Sequence, residues 1–327
     1  MKEKSPPTFK SVLSGFISGL IEEKRAAGYD YRTEEAVLLR FDHYCAERGL
    51  EAPAYTKEFL SDWCEQSPSE GISNHNKRVS VIRQLSLYMM SMGVQVYLPK
   101  NHLKAETVLP HLFTDDERSG FFHEVDAYVP KSASYPAHRI ANEYKVLFRM
   151  IYCCGLRNSE ACGIACENVD LDQGILTIMN TKGNKDRLVY MGGELTSLCR
   201  EYHEYLCHAL GQRPEWFFPG MDPSKPLPNT TVDKAFNRFW NRTPFSKTCR
   251  NKPTVHDLRF SFITDRINLW TRQGVDVETM LPYLARFVGH KSVLEVYYYY
   301  HTSEKLFESI RSSDKISQKV IPEVDYE

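Results

Sequence analysis

Apolar residues in the first hundred positions recur at the spacing of amphipathic helices. One apolar stripe runs over residues 13–21 and a second over residues 36–44, and Gly28 and Gly49 follow them. A glycine just past the last apolar position is a helix-stop signal, so the pattern predicts a helix ending near each glycine. Two further helices are predicted at residues 56–65 and 74–92. This part of the chain is therefore expected to fold as a four-helix unit.

The periodic pattern changes after the fourth helix. Residues 93–110 contain several prolines and lysines and predict a linker, after which Thr114 and Glu117 are spaced as a capping box that begins a new helix. Alternating residues over 174–191, broken by Gly183-Asn184, predict a β-hairpin. The chain is thus predicted to be mainly α with a small antiparallel β-sheet, organised as a helical domain 1–97, a linker 98–112 and a second domain 113–327.

Composition indicates an ordinary globular protein. Apolar residues make up 42% and charged residues 25% of the 327 positions, and no apolar run approaches the roughly 20 residues that span a bilayer. The N-terminus lacks the apolar stretch of a signal peptide, and the nine cysteines show no spacing typical of a secreted disulfide framework. These features predict a cytoplasmic protein with free thiols and no membrane partner.

The net charge of −1 argues mildly against a nucleic-acid partner, because DNA-binding proteins usually carry a basic excess. Any basic surface must therefore be local. The fourth predicted helix places basic residues beside an apolar face, which suits a DNA groove when other features also point to DNA. The predicted DNA-binding residues lie on that helix, in the linker and at the hairpin: Lys77, Arg78, Arg83, Lys100, Lys104, Lys185 and Arg187.

Two predicted helix N-termini carry side chains that could bind an anion. Arg157 directly precedes one helix, with Asn158 or Ser159 as its predicted N-cap. Thr254 and Asp257 are spaced as a capping pair that begins another, so His256 falls in its first turn and Arg259 shares the same face. Helix N-termini offer unpaired N–H groups and a positive dipole, so cationic side chains beside them favour an anion site. Each segment alone is weak evidence, because similar short patterns occur by chance in many proteins.

Three more segments add groups of the same chemistry. Lys182 lies at the predicted hairpin tip, and Glu160 follows Arg157 closely enough to orient its guanidinium. His290 follows a glycine, and four consecutive tyrosines occupy residues 297–300. At least two of these tyrosines are expected to pack in the core, whereas one can present its hydroxyl to the cluster and act as a nucleophile.

A metal site is the competing interpretation. Cys199, His203 and Cys207 recur at every fourth position along one helical face. A structural zinc site needs four ligands, usually in short CxxC-type loops, and the sequence has no such loop. No metal ligand is therefore predicted, and a zinc-dependent interaction protein is kept only as a remote alternative.

The ordered set of motifs is more specific than its parts. The segments are Gly155–Glu160, Lys182–Arg187, His256–Arg259, Gly289-His290 and Tyr299–His301. In this order and spacing the chain resembles a tyrosine recombinase of the phage-integrase and Xer kind over essentially its whole length. The resemblance implies a helical, SAM-like core-binding domain followed by the tyrosine-recombinase catalytic domain. Phe260 departs from the family pattern, in which a histidine is common at that position.

The resemblance implies a role for each phosphate ligand. Arg157 and Arg259 would hold the scissile phosphate, and Lys182 would protonate the 5′-oxygen leaving group. His256 and His290 would hydrogen-bond the phosphate, and His256 could also accept the tyrosine proton. Because a covalent protein–DNA link conserves the bond energy, no nucleotide or other cofactor is implied.

The family spacing also selects a nucleophile among the four tyrosines. It stands nine residues after the histidine of the Gly-His pair and two before another histidine, which identifies Tyr299 and His301; Tyr300 is the second choice. Attack by this tyrosine would give a 3′-phosphotyrosine and a free 5′-hydroxyl. Strand exchange would then pass through a Holliday junction.

The implied partner is double-stranded DNA carrying a short inverted-repeat core site. A homotetramer would hold two such sites, with the C-terminal tail, residues 303–327, packing on a neighbour. Folding of the tail back on its own domain is the alternative. The protein would be associated with the nucleoid, and integration, excision or transposition of a mobile element is favoured over resolution of chromosome dimers. A catalytically silent DNA-binding relative and a type IB topoisomerase remain as alternatives.

Overall fold

The computed structural model describes residues 8–100, 103–104, 110–179, 186–249 and 251–302, apart from the side chains of residues 298 and 300–302. The chain divides into two compact units, Met1–Val108 and Leu109–Glu327. The predicted class, mainly α with a small antiparallel sheet, is confirmed. The finer boundaries at residues 97 and 112 stay predictions. Within the described ranges, no helix is both long and apolar enough to span a bilayer.

The first unit is built from helices whose apolar stripes meet in one core. Its elements are α1 (Ser14–Ala26), α2 (Arg32–Glu47), α3 (Ser61–Cys64) and α4 (Ile72–Ser91). The helix α4 packs against the other three, and the predicted stops are confirmed, since Gly28 and Gly49 adopt φ of +86° and +65° just past α1 and α2. The predicted helix at 56–65 is mostly wrong: hydrogen-bonded turns precede the short α3, because Leu60 N–H and Ser61 N–H bond to Thr56 and Glu58 carbonyls.

The second unit packs helices around one small sheet. Its elements are α5 (Asp115–Asp126), α6 (Tyr135–Cys154), α7 (Asn158–Cys162), β1 (Val169–Asp170), β2 (Ile175–Ile178), β3 (Arg187–Tyr190), α8 (Gly193–Leu210), α9 (Asn229–Trp240), α10 (Val255–Arg272), α11 (Val277–Val288) and α12 (Val293–Thr302). The strands pair antiparallel in the order β1-β2-β3, with Ile175 opposite Tyr190 and Ile178 opposite Arg187. The predicted hairpin pairing is therefore present, while its Gly183-Asn184 turn lies outside the described residues.

The core of the second unit has two parts. The larger is rich in aromatic side chains, with Phe121, Phe148, Phe236 and Trp240 fully buried in mostly edge-to-face contacts that aromatic rings favour. The smaller lies between α10, α11 and α12 and includes Tyr299. Because α6 packs against both α8 and α10, it links the sheet side of the unit to the helices that carry the motifs singled out in the sequence.

A buried ion pair joins α6 to a loop. Arg139 bonds to Glu143 one turn along the same helix, and it also donates to the carbonyls of Pro219 and Gly220. Both side chains are essentially inaccessible to solvent. Since an arginine buried with its donors satisfied holds its neighbours in one geometry, this pair fixes the loop that precedes α9.

Candidate functional site

Two arginines separated by about a hundred positions are anchored in the same way. Gly155 and Gly289 end α6 and α11 with φ of +60° and +70°, a conformation that favours glycine. The Gly155 carbonyl accepts a 2.6 Å bond from Arg259 Nη1, and the Gly289 carbonyl accepts a 2.8 Å bond from Arg157 Nη2. Each guanidinium is therefore positioned by the carbonyl of a glycine at a helix end.

Caps at two helices place these residues locally. The predicted N-cap of α7, Asn158 or Ser159, is wrong: Arg157 is the N-cap, because Glu160 accepts its backbone N–H at 2.9 Å. The cap of α10 is confirmed, since Asp257 accepts the Thr254 N–H at 2.7 Å. His256 therefore lies in the first turn of α10, as the sequence predicts.

Glu160 organises the charges of the cluster. Its buried carboxylate accepts bonds from Arg157 Nη1 at 2.6 Å and from both terminal nitrogens of Arg187, and Arg259 Nη1 lies 3.9 Å away. Burial is the largest influence on the pKa of Glu160 and would raise it. The bonds from Arg187 and Arg157 together outweigh burial and lower the pKa to about 2, so the carboxylate is ionised.

Arg187 faces the interior, which corrects the predicted DNA contact. Only 7% of its side chain is exposed. Its terminal nitrogens bond to Glu160 at 3.0 and 2.8 Å, and its Nε donates to the Phe287 carbonyl at 2.8 Å. A guanidinium so engaged is not available to a groove or a phosphate backbone. Sequence reasoning missed this role because the partners lie far away along the chain.

The other predicted DNA-binding residues fall into three groups. Arg78 and Arg83 both bond within the first unit. Arg78 bonds to Glu70 and to backbone carbonyls and is poorly placed for DNA, whereas Arg83 is partly exposed, donates one bond to the Pro99 carbonyl and stays a predicted contact. Three of the predicted lysines are exposed: Lys77, Lys100 and Lys104. Lys185, like the predicted proton donor Lys182, lies outside the described residues.

Two histidines lie in the field of the arginines. Burial, followed by the charge of Arg259, lowers the pKa of His256 below its usual range. The same two causes lower the pKa of His290 to about 3. Both imidazoles are therefore neutral at pH 7, and the buried Nδ1 of His290 has no hydrogen-bond partner among the described residues. Neutral imidazoles can donate a hydrogen bond to a phosphate or accept a proton.

Tyr299 lies beside this cluster. It is 8% exposed, and its ring centroid lies 4.5 Å from that of Phe260 and 5.5 Å from that of His290. Burial raises the pKa of Tyr299, while Arg259 and Arg157 act to lower it. Phe260, which stands where the family commonly has a histidine, thus forms one wall of the tyrosine's surroundings. The side chains of Tyr300 and His301 are outside the described set.

Two donors of Arg259 have no partner among the described residues. Its side chain is 1% exposed, yet its Nε and Nη2 have no hydrogen-bond partner within the part of the chain that the structure describes. Burial, with the nearby charge of Arg157, lowers the pKa of Arg259 to about 10. A buried donor left unpaired costs about 1–3 kcal/mol, so this arrangement is explained by an anionic ligand that accepts from it.

The residues of the competing metal-site interpretation lie on α8. Among the described residues, no group of three or more histidine, cysteine, aspartate or glutamate side chains is arranged to hold a metal ion. Cys199 is buried, and Cys207 Sγ lies 3.7 Å from His203 Nε2 on the same helix.

Acid should remove a contribution of His290 to the stability of the second unit. Below about pH 6.5 the unfolded chain protonates His290 while the folded chain, with the pKa near 3, does not, so stability falls as pH falls. Glu160 adds to the loss of stability below about pH 4.3. Its carboxylate protonates near that pH in the unfolded chain but only near pH 2 in the folded chain. Burial raises the pKa of Glu143, which acts in the opposite sense over the same range. We therefore expect a difference between variants: from pH 7 to pH 5, the thermal midpoint of His290→Asn should shift in the stabilising direction relative to that of the wild type. His138→Asn, at an exposed position on α6, is the control and should leave the slope unchanged.

Gly155→Ala should destabilise the fold more than a matched glycine change. A Cβ at Gly155 would lie 2.5 Å from the Phe262 ring in addition to forcing alanine into positive φ. Gly211 ends α8 at φ +67°, and a Cβ at that position would meet no atom within 4 Å, so Gly211→Ala carries the backbone strain alone. We expect Gly155→Ala to cost about 1–3 kcal/mol more than Gly211→Ala in chemical unfolding. Equal losses of unfolding free energy in the two variants would show that the Phe262 ring moves away from the new Cβ without cost.

Comparisons with known proteins agree with this geometry. The Phage integrase family matches residues 129–305, which include every described side chain of the cluster. Among curated relatives, y4rB of Sinorhizobium fredii (strain NBRC 101917 / NGR234), whose name classes it with the integrases and recombinases, is 24% identical over 91% of this chain and 94% of its own length. The tyrosine recombinase XerC of Staphylococcus carnosus (strain TM300) is 22% identical over 82% of this chain and 84% of its own.

Solved structures share the fold. The XerH site-specific recombinase, in a pre-cleavage complex with its difH substrate, superposes with a TM-score of 0.60 at 20% identity, covering 86% of this chain and 78% of that one. The Tn1549 transposon integrase, in complex with transposon right-end DNA, gives a TM-score of 0.60 at 13% identity over 91% and 97% of the two chains. The family match spans more than half of the sequence. The chain belongs to the phage integrase family of tyrosine recombinases, enzymes that break and rejoin DNA.

Proposed function

We propose that this protein recombines specific DNA sites by transesterification through a 3′-phosphotyrosine. The observation that supports the proposal is that Arg259 is buried beside Arg157, His290 and Tyr299 with two donors that have no partner among the described residues. Fixed donors of this kind stabilise the charge that develops on the oxygens of a reacting phosphate, and they need no reorganisation during the reaction.

The proposed step follows from the chemistry of these groups. The Tyr299 oxygen attacks phosphorus while its proton passes to His256, whose lowered pKa leaves it neutral and able to accept. The bond from phosphorus to the 5′-oxygen breaks, and Lys182 protonates that oxygen. Arg157 and Arg259 hold the non-bridging oxygens. Reversal by a 5′-hydroxyl of a partner strand rejoins the DNA, so the bond count is conserved without a cofactor.

The partners follow from the same proposal. Double-stranded DNA with a short inverted-repeat core site is bound by both units. Among the predicted contacts, Lys77, Lys100 and Lys104 are exposed and can bind its backbone. Four protomers hold two sites, joined through their C-terminal segments, and exchange strands through a Holliday junction. Movement of a mobile element by integration, excision or transposition is the proposed biological setting.

Trapping on DNA tests the proposal. A duplex site is first selected with purified protein from a pool with a randomised core and then nicked beside the cleaved position, so that the short downstream fragment diffuses away. We expect a covalent adduct on the upstream fragment, together with a released fragment that a polynucleotide kinase labels directly, because it carries a free 5′-hydroxyl. The adduct should form in EDTA.

Other outcomes distinguish the alternatives. An adduct on the downstream fragment contradicts the 3′-phosphotyrosine. Selected binding without any adduct favours a DNA-binding relative that is catalytically silent. Relaxation of supercoiled plasmids that lack the selected site, without joining of two sites, favours a type IB topoisomerase.

A further inference from the structure

We propose that Arg187 is a positioning residue: its guanidinium fixes Glu160 and the C-terminal end of α11, and so holds Arg157 and His290 in the arrangement that ligates phosphate. The role of Arg187 in the chemistry rests on the proposed function. Its role in anion binding can be tested separately.

The first argument is the direction of the Arg187 bonds. The strand β3 delivers the side chain to two other elements, because its terminal nitrogens bond to Glu160 at the start of α7 and its Nε bonds to the Phe287 carbonyl in the last turn of α11. Planar guanidinium groups bond to carboxylates in a forked geometry that a lysine cannot reproduce. One side chain therefore sets the relative position of three elements.

The second argument is the contact with Gly289. A Cβ at Gly289 would lie 2.7 Å from Arg187 Nη1 and 2.9 Å from its Cζ, so the guanidinium packs directly on the glycine backbone. The carbonyl of the same glycine accepts the bond from Arg157 Nη2, and the next residue is His290. A displaced Arg187 would therefore release the backbone segment that carries one phosphate ligand and anchors another.

The third argument concerns charge. With Arg187 in place, Glu160 divides its bonds between two arginines and stays 3.9 Å from Arg259. Without Arg187, the buried carboxylate would draw on Arg157 and Arg259 alone, at the expense of an anionic ligand. Arg187 thus contributes to phosphate binding without touching the phosphate.

The test uses the full-length protein with two probes, inorganic phosphate by titration calorimetry and the selected nicked duplex in single-turnover trapping. The variants are Arg187→Met and Arg187→Lys. The matched control is Arg149→Met, which also removes a forked pair with one carboxylate, Asp126, and a bond to one carbonyl, that of Lys145, but outside the site. Arg259→Met identifies binding at the cluster. All proteins are compared where circular dichroism shows them fully folded.

We expect Arg187→Met to weaken phosphate binding about tenfold and to slow adduct formation at saturating DNA about 100-fold, the effect of displacing a catalytic group by about 1 Å. The dissociation constant for DNA should change by less than about twofold, because exposed lysines contribute to it. Arg187→Lys should form the adduct at least about tenfold more slowly than the wild type, since lysine keeps the charge but cannot make the forked hydrogen bonds. If Arg187→Met does not fold, Arg187→Lys carries the test.

Wild-type phosphate affinity and rate in the folded Arg187 variants, or equal losses in Arg149→Met, would overturn the proposal. Failure of the wild type to bind phosphate would also overturn it. So would phosphate binding of equal strength in the wild type and Arg259→Met. If the wild type forms no adduct while phosphate binding falls only in the Arg187 and Arg259 variants, positioning stands and the recombinase chemistry is wrong.

Discussion

Tyr299→Phe should abolish the covalent adduct, with a loss of at least about 10⁴-fold, because removal of a nucleophile leaves no alternative route to the same intermediate. Its ring packs between Phe260 and His290, and Arg259 and Arg157 oppose the rise in pKa that burial causes. Phenylalanine keeps the ring, so the packing and the affinity for DNA should be retained within about twofold. Denaturing gels measure the adduct, and mobility-shift titration measures the affinity.

The neighbouring tyrosines supply the controls. Tyr297→Phe should retain the adduct, since Tyr297 is only partly buried at the edge of the core between α10, α11 and α12. Tyr300→Phe tests the second choice that the sequence leaves open. If only Tyr300→Phe loses the adduct, the proposed chemistry is correct and the nucleophile is Tyr300.

Arg259→Met should slow adduct formation by about 10³-fold and yet leave the fold nearly as stable as the wild type. The loss of rate follows from removing donors aimed at the reacting phosphate. Stability should change by less than about 1 kcal/mol, because the substitution also removes two buried nitrogens without partners among the described residues and a charge that burial disfavours. Single-turnover trapping and chemical unfolding measure the two quantities.

Arg139→Met is the matched comparison for stability. Arg139 is buried to the same extent on α6, but it bonds to Glu143 and to two carbonyls. Its removal leaves a buried carboxylate unpaired and should cost about 3–5 kcal/mol. If Arg259→Met proves as destabilising as Arg139→Met, the unpaired donors of Arg259 are structural, and the argument for a phosphate site at that arginine is wrong.

Local sequence signals predict the elements whose ends depend on neighbouring residues. The capping pairs Thr114 with Glu117 and Thr254 with Asp257 are present where the sequence places them, because both partners lie within one helical turn. The predicted N-cap of α7 is wrong by one or two residues. The prediction relies on a polar side chain at the cap, whereas the Glu160 carboxylate bonds to the backbone of Arg157.

Tertiary partners account for the remaining errors. The sequence assigns Arg78 and Arg187 to DNA because basic residues in a one-dimensional pattern carry no sign of an internal acceptor. Their acceptors are backbone carbonyls and carboxylates elsewhere in the chain. One signal was available for the site itself: Gly155 and Gly289 each follow an apolar helix and lie within a motif, as expected of glycine helix caps whose carbonyls are free to accept.

The balance of charge within the cluster has a consequence for the whole reaction. Three guanidinium groups, Arg157, Arg187 and Arg259, surround the one carboxylate of Glu160, and the two histidines are neutral, so the described cluster has two positive charges in excess. Transfer of the tyrosine proton to His256 raises this excess to three, while the attacked phosphodiester becomes a pentacoordinate species with two negative charges. The enzyme and the transition state are thus electrically complementary, although the chain as a whole, at −1, repels DNA slightly. For this chemistry the position of the charges matters more than the net charge of the chain.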